Sequence, residues 1–384
     1  MTKVSGEKTA SQLRILDGLS NRVRDDYIYT DSRVRDWNDI VESHKAPISR
    51  GMSDDDFYAA MRSMVRALGD RHSFFETPDE VKKNKEEVAG RNKFVGMGAY
   101  ISPIERTDHA TLLAIYPDSP AAEAGFRPHD VILSVDGQSY FDETAGRPRT
   151  LGRPGTKVRL KMQRPGQPPR DVVLTRREVT GVLPIDFCIV PTTRIGYILL
   201  PSLGDSTIAD QVRGALQRMT ADGPLEGLIL DNRINSGGLS RVMISILSMF
   251  GSGVQGQYVS RKENRRLELK PEDIRGSQTM PLVVLIERRT ASNAEIMSGL
   301  LGLSGRATLV GSPTQGNVEQ LNWFGFEDGS RAWLAISTFA PRGMKNGVWE
   351  GKGIAPDVFL PTRWHLFTEA TDPGISKAVE LLRK

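Results

Sequence analysis

A strongly apolar run, "PLVVLI", is followed by "ERRTASNAEIM", which contains a serine placed where chemistry could occur. Ser292 opens a predicted helix. A helix N-terminus stabilises developing negative charge there, so a nucleophilic serine is one interpretation. The other is a capping box, in which Ser292 caps the helix and Glu295 returns the hydrogen bond. On this stretch alone the capping box is favoured, because Ser-x-x-Glu is a common helix start.

A second polar loop, "DNRINSGG" (231–238), also lies between an apolar strand and a predicted helix. In a parallel α/β sheet both loops fall at the carboxyl edge, where ligands bind. Gly237 and Gly238 would let backbone N–H groups approach a reacting oxygen closely, as in an oxyanion hole. The alternative is that the two glycines only make a tight turn.

The composition is that of an ordinary globular protein with room for two or three domains. The chain has 384 residues, 39% of them apolar and 26% charged. Basic residues exceed acidic ones by 51 − 47 = 4 but alternate with them, so we expect no nucleic-acid partner. The single cysteine, Cys188, excludes an internal disulfide framework and a cysteine zinc cluster, and its apolar neighbours predict burial.

The sequence also bears on membranes and location. No segment has the uninterrupted apolar length needed to span a bilayer. The start, "MTKVSGEKTASQ", has no apolar signal core. We therefore expect either a cytoplasmic protein or a mature extracytoplasmic form, periplasmic or secreted, whose export signal has been removed. Oligomeric state, including a homo-oligomer, stays open.

Three regions of the chain differ in their predicted secondary structure. Residues 1–90 are predicted to be helical, most clearly at 53–68, where Ser53 caps an apolar stripe. Residues 92–178 consist of short strands and turns, which predicts a β-rich domain. Residues 179–384 alternate apolar strands with helices, which indicates an α/β core with largely parallel pairing.

The middle region resembles a PDZ domain. The stretches "FVGMGAYI", "SPAAEAGFRPHDVILSVDG" and "GRPGTKV" occur in the order typical of that family. The resemblance implies that the Gly96–Met97–Gly98 loop can receive a chain-terminal carboxylate on its backbone N–H groups. Protein or peptide partners, bound through their C-termini, are the expectation.

The whole chain resembles the S41 peptidases, which include the tail-specific, carboxyl-terminal processing proteases and the tricorn protease core. The stretches that carry the resemblance are "ILDNRINSGG", "PLVVLIERRTASNAEIMSGLL", "GRATLVGSPTQG" and "EGKGIAPDV", in that order. The family implies a crotonase/ClpP-like α/β core, preceded here by the N-terminal helical segment and the inserted PDZ-like domain. It also implies that Ser292 is the nucleophile, with the N–H groups of Asn293 and of Gly237 or Gly238 in the oxyanion hole.

One departure from the processing-protease branch concerns the general base. Where that branch has a lysine, this chain has Asn317, which cannot accept a proton from a serine. The tricorn-like branch instead uses a histidine oriented by a glutamate, and "LGDRHSFF" and "VWEGKGIAPDV" supply His72 and Glu350. The resemblance therefore implies a triad of Ser292, His72 and Glu350. The alternative is that His72 is a surface histidine at a helix end.

The sequence thus predicts a serine endopeptidase of the S41 type that cleaves protein substrates. The other histidines show no metal-ligand spacing, and there is no HExxH, Walker or Rossmann motif, so we expect no metal, nucleotide or other cofactor. A second function class stays open because Asn317 replaces the lysine. In this alternative the protein is a catalytically silent peptide-binding module. A crotonase-like acyl-thioester enzyme is disfavoured, because the PDZ-like domain implies peptide ligands.

Overall fold

The computed structural model describes residues 6–29, 36–86 and 93–383. The chain divides into two compact units. The first contains residues 1–86, 253–268 and 316–352, and the second contains residues 87–252, 269–315 and 353–384. Each unit is therefore assembled from separate segments of the chain. The boundary that the sequence predicts at residues 90–92 lies outside the described residues.

Among the described residues, three helices come first, strands predominate between Lys93 and Leu199, and helices and strands are interspersed after that. The described helices are α1 (Gly6–Asp26), α2 (Trp37–Ser49), α3 (Asp54–Arg66), α4 (Pro78–Glu86), α5 (Pro120–Glu123), α6 (Ile208–Met219), α7 (Ser240–Phe250), α8 (Ser292–Leu303) and α9 (Pro373–Leu382). The described strands are β1 (Phe74–Glu76), β2 (Lys93–Gly96), β3 (Ala99–Pro103), β4 (Ala110–Ile115), β5 (Val131–Val135), β6 (Phe141–Asp142), β7 (Arg147–Pro148), β8 (Lys157–Gln163), β9 (Arg170–Thr175), β10 (Arg177–Thr180), β11 (Asp186–Ile189), β12 (Ile195–Leu199), β13 (Gly227–Asp231), β14 (Gly253–Ser260), β15 (Asn264–Leu269), β16 (Leu282–Ile286), β17 (Thr308–Gly311), β18 (Gln320–Gly325), β19 (Arg331–Pro341) and β20 (Val358–Phe359).

The first unit packs helices α1 to α3 against a sheet with strand order β1-β19-β14-β15, in which β18 also pairs with β19. Helix α3 begins where the sequence predicts: the Ser53 hydroxyl accepts a hydrogen bond from the backbone N–H of Asp56 at 3.2 Å. Its apolar stripe, which includes Phe57 and Met61, is buried in the core of this unit. Strand β1 follows α3 closely and pairs antiparallel with β19, which fixes the intervening loop that carries His72.

The second unit is built on a six-stranded sheet with order β11-β12-β13-β16-β17-β20. The pairs from β12 to β20 are parallel, and β11 is antiparallel to β12. Every residue of β13 and β16 is buried, as expected of central parallel strands covered on both faces. Their register places Asp231 opposite Leu285, so the loops that follow both strands leave the same edge of the sheet.

Residues 93–180 of the second unit fold as a β-rich domain. Strands β3, β4, β5, β8 and β9 form one antiparallel sheet, and β2 pairs with β10. Strand β8 alternates exposed residues with buried Val158, Leu160 and Met162, because one face of the sheet covers the domain core.

Two smaller findings concern membranes and the cysteine. Within the described ranges, no helix is both long and apolar enough to cross a membrane. The burial predicted for Cys188 is wrong, because this residue lies on the exposed side of strand β11.

Candidate active site

Ser292 lies at the junction of strand β16 and helix α8 in a left-handed backbone conformation, with φ at 53°. Such a conformation costs an L-residue energy, so its occurrence at a polar turn marks a site where the surrounding structure imposes the backbone path. The N-cap position belongs to Ala291, which makes no side-chain cap. The capping-box interpretation is therefore wrong. The carboxylate of Glu295 is buried instead, where it accepts a hydrogen bond from the Thr314 hydroxyl.

The glycine turn after β13 passes very close to this serine. A Cβ added to Gly237 would lie 2.7 Å from the Ser292 Cβ and 2.9 Å from the Ala291 carbonyl oxygen. At Gly238, whose φ is 142°, an added Cβ would lie 2.2 Å from the carbonyl carbon of Leu203. Both positions require glycine for space as well as for backbone conformation.

The backbone N–H groups of this turn are not equivalent. That of Gly237 donates to the Asn235 side-chain oxygen at 2.9 Å. The Asn293 side chain donates to the Gly238 carbonyl at 2.6 Å, which ties the start of α8 to the turn. The N–H of Asn293 itself is one of those at a helix start that have no partner within the helix.

A buried polar network missed by the sequence analysis joins the two loops. The Asn232 amide donates to Ser298 Oγ at 2.8 Å and to the Ala294 carbonyl at 3.0 Å, both in helix α8. The Asn235 amide in turn donates to Asn232 Oδ1 at 2.8 Å. The signal was the unusually polar run after a fully buried strand, because buried amides must be hydrogen-bonded.

Arg233, on the same loop, is buried between two carboxylates. Its guanidinium donates to Asp231 at 2.6–3.1 Å and to Asp372 at 2.6–3.2 Å. It also lies over the Trp364 ring, 4.8 Å from the centroid. Burial acts to lower the pKa of Arg233, but the two aspartates outweigh it and hold the pKa well above its ordinary value.

In the first unit, His72 is buried rather than on the surface, with 6% of the residue exposed. The Asp70 carboxylate accepts the backbone N–H groups of His72 and Ser73, at 2.7 and 2.5 Å, which holds the loop after α3. The ring nitrogen Nε2 lies 3.1 Å from Glu350 Oε1. The backbone N–H of Val318 donates to the other Glu350 oxygen at 3.0 Å. The pair of His72 and Glu350 that the resemblance implies is therefore present within this unit.

The same ring nitrogen also faces Glu319, which the sequence analysis missed. Glu319 Oε2 lies 2.9 Å from His72 Nε2, and the Glu319 side chain has no exposed surface. Burial acts to lower the pKa of His72, but the nearby carboxylates of Glu319 and Glu350 outweigh it and raise the pKa to about 9. The ring therefore loses its second proton, as action as a base requires, at a higher pH than a free imidazole does.

Comparison with protein-family models matches residues 194–360 to peptidase family S41 and residues 112–164 to the PDZ domain. The chain is 29% identical over 335 residues to the carboxy-terminal processing protease CtpA of Bacillus subtilis (strain 168), covering 85% of this chain and 69% of that protein. It is 25% identical over 354 residues to the chloroplastic carboxyl-terminal-processing peptidase 3 of Arabidopsis thaliana, covering 88% of this chain and 67% of that protein. Residues 194–360 thus match the S41 peptidase domain, and together with the relatives this shows a serine-type peptidase that acts on protein substrates.

Solved structures agree on the fold of this peptidase. The photosystem II D1 C-terminal processing protease superposes with a TM-score of 0.63 at 24% identity, covering 91% of this chain and 93% of that one. The α/β core, the PDZ domain and the N-terminal helices predicted from sequence are confirmed.

The segment around Asn317 contributes to the surroundings of His72. Glu319, two residues after Asn317, faces His72. Between them, Val318 anchors Glu350 through its backbone N–H. This segment thus brings one carboxylate to His72 and orients the other.

The PDZ loop of the peptidase is held through its carbonyl groups. The Gly98 carbonyl accepts hydrogen bonds from the Tyr116 N–H and the Ser119 hydroxyl, both at 3.0 Å. The Met97 carbonyl accepts from Ala121 N–H at 2.8 Å. A Cβ on Gly98 would lie 2.2 Å from the Ser119 Cβ, so the close approach to helix α5 requires glycine at this position.

Proposed function

We propose that Ser292 is the nucleophile of this peptidase. The observation that carries the proposal is the left-handed serine at the start of α8, against a turn whose glycines admit no side chain. A strained turn at a strand–helix junction presents a hydroxyl away from the helix body, where helix-start N–H groups can stabilise an oxyanion. The hydroxyl is half-buried and caps nothing.

The proposed oxyanion hole uses the backbone N–H groups of Asn293 and Gly238. Of the two glycines that the sequence offered, Gly237 already donates its N–H to Asn235, which favours Gly238 as the donor. Gly237 contributes space instead, since a side chain there would collide with Ser292. The network through Asn232 and Asn235 holds the two loops at a fixed spacing, so the donors need no reorganisation during the reaction.

His72 is the proposed general base, and Glu350 orients it. Both carboxylates face Nε2, so Nδ1 is the nitrogen left to accept the serine proton. In the reaction Ser292 Oγ bonds to the substrate carbonyl carbon while its proton passes to His72. The tetrahedral intermediate then collapses, the peptide C–N bond breaks, and the proton leaves on the amine. Water, deprotonated by the same imidazole, hydrolyses the acyl-enzyme.

We propose that the PDZ domain binds the free C-terminal end of a protein substrate. The Gly96–Met97–Gly98 loop would receive the terminal carboxylate on backbone N–H groups. The names of the processing-protease relatives support this assignment, since those proteins act at carboxyl termini.

The nucleophile is tested with a fluorophosphonate probe, which reacts with activated serines. Wild-type protein should be labelled, and Ser292→Ala should not. Ser304→Ala is the matched control, because Ser304 is an exposed serine at the opposite end of the same helix. Equal labelling of wild type and Ser292→Ala removes Ser292 from the mechanism. A wild-type protein that binds peptides but is neither labelled nor active would indicate the silent-binder alternative.

Recognition of chain ends is tested separately with Ser292→Ala protein, which holds substrate without cleaving it. Peptides with a free carboxylate should bind more tightly than the same peptides with an amidated C-terminus, because the charged form accepts stronger hydrogen bonds. Indistinguishable affinities across several apolar tails would show that the domain does not read chain ends.

A further inference from the structure

In the first unit, one histidine ring nitrogen and two carboxylates lie close together in the interior. His72, Glu319 and Glu350 each offer one ligand atom, and these atoms all lie within 4.8 Å of one another. The His72 and Glu319 side chains are 2% and 0% exposed, and that of Glu350 is 11% exposed. We propose that these three residues form a binding site for a divalent transition-metal ion of the Zn²⁺ type.

The cluster has fewer hydrogen-bond donors than its acceptors require. Nε2 can carry one proton, whereas two carboxylate oxygens lie 2.9 and 3.1 Å from it. Its hydrogen bond goes to Glu350, and both oxygens of Glu319 are left without a hydrogen bond of acceptable geometry. A buried carboxylate without donors is costly, whereas a cation placed between the three atoms would satisfy all of them at once.

The distances from His72 Nε2 to the two carboxylates are close to those in a metal site. Bonds of about 2.0–2.2 Å from Zn²⁺ to nitrogen and oxygen place tetrahedral ligand atoms about 3.3–3.6 Å apart. The observed separations of 2.9 and 3.1 Å need only a small widening to reach that range. An imidazole with two carboxylates suits Zn²⁺ or a similar transition ion better than Mg²⁺ or Ca²⁺, which prefer oxygen ligands alone.

Contacts with the surrounding backbone hold the three side chains in place. The second oxygen of Glu350 accepts the Val318 N–H, which orients the carboxylate. The carboxylate of Asp70 holds the backbone at His72. Ligands held in this way keep their positions without an ion, and such outer-shell contacts are a regular part of metal sites. Sequence spacing could not reveal the set, because its members come from three distant parts of the chain.

A metal ion bound at this site would also control peptidase turnover. This consequence alone rests on the proposed function. An ion at Nε2 places the proton of the neutral ring on Nδ1, the nitrogen that the mechanism uses as the base. The metal-bound form therefore cannot accept the serine proton. Zn²⁺ should inhibit the peptidase and a chelator should relieve the inhibition.

The test is metal binding by the full-length protein after treatment with a chelator and its removal. Titration calorimetry with Zn²⁺, and metal analysis after equilibrium dialysis, should give one equivalent per chain. Glu319→Gln should weaken binding by more than about 100-fold, beyond the usual cost of losing an outer-shell partner. Co²⁺ should give visible d–d bands in wild type that are lost in the variant. Glu263→Gln is the matched control, because Glu263 is an exposed carboxylate in the same unit.

The outcomes separate this proposal from the proposed function. No stoichiometric binding to wild type, or binding that Glu319→Gln leaves unchanged, overturns the metal site whatever the fluorophosphonate result. Glu350→Gln provides a second ligand variant if Glu319→Gln does not fold, as judged by circular dichroism. Conversely, one bound equivalent together with unlabelled Ser292 in metal-free protein would retain the metal site and remove the serine mechanism.

Discussion

Each unit buries one basic side chain between two carboxylates, and the two clusters behave differently. In the second unit the basic residue is Arg233, and in the first it is His72. Both are nearly inaccessible, with 1% and 6% of the residue exposed. When the imidazole is protonated, the two clusters also carry the same formal charge of about minus one. What separates them is the number of hydrogen-bond donors that each basic group offers.

The arginine cluster is fully satisfied. A guanidinium has five N–H donors, enough to bond both carboxylates in a forked arrangement. The Asp231 carboxylate also accepts the Tyr197 hydroxyl at 2.8 Å, and Asp372 caps helix α9. A buried ion network with every group paired is a structural device, and here it supports the loop that carries the glycine turn.

The histidine cluster has too few hydrogen-bond donors for its carboxylates. One N–H serves two carboxylates, and Glu319 is left without a hydrogen bond. The same charge composition therefore yields a structural cluster in one unit and a cluster open to a proton or a metal ion in the other. Donor count, rather than burial or net charge, distinguishes them.

The largest effect that this comparison predicts is on turnover. His72→Ala should lower cleavage of an unstructured protein substrate by about 10²–10⁴-fold, the contribution of a general base. Activity is measured in the presence of a chelator. His44→Ala, at a partly exposed histidine on α2, should leave turnover unchanged. Cleavage that survives His72→Ala intact would remove His72 as the base without affecting the family assignment.

The next effect is on stability. Arg233→Met should reduce the free energy of unfolding by about 3–5 kcal/mol, because it leaves two buried carboxylates without their cation. The partly exposed Arg213, which also pairs with two carboxylates, is the control. Arg213→Met should cost less than about 1 kcal/mol. Chemical denaturation of both variants measures the difference, and equal losses would contradict the structural role of the buried network.

A smaller loss should follow a change that keeps the charge. Arg233→Lys retains the cation but has three donors on one atom, so it cannot bond both carboxylates in forked pairs. We expect a loss of about 1–3 kcal/mol, set by the hydrogen bonds left unmade. If Lys restores wild-type stability, charge alone supports the loop and the donor count does not.

The sequence predicted the parts of the site that a local pattern carries. Ser292 follows an apolar strand and precedes a helix, and the glycine turn has the same context, so short motifs made both candidates. The family resemblance was needed to favour Ser292 as a nucleophile over a helix cap. The pair of His72 and Glu350 was accessible only through the family resemblance. The N-terminal helices, the β-rich domain and the α/β core could be predicted because patterns of apolar residues repeat over whole segments.

Other features depend on contacts that no local pattern encodes. The left-handed backbone of Ser292 is imposed by the neighbouring turn, and the capping box failed because Glu295 points inward to Thr314. In the sequence, nothing distinguishes Glu319 from other acidic residues, and only the fold places it beside His72. The bond from Gly237 to Asn235, which decides between two oxyanion donors, is likewise visible only in three dimensions.

The smallest effect concerns stability when one carboxylate of each cluster is replaced by an amide. The two replacements should have different effects on the free energy of unfolding. Glu319→Gln removes a buried carboxylate that lacks hydrogen bonds, so the stability of metal-free protein should change by less than about 1 kcal/mol or increase. Asp231→Asn is the matched change in the other cluster. It weakens bonds from Arg233 and Tyr197, so it should destabilise by about 1–3 kcal/mol. Urea denaturation in chelator measures both variants. A large loss for Glu319→Gln would mean that this carboxylate is already satisfied by its protein surroundings, and the donor count would no longer distinguish the clusters.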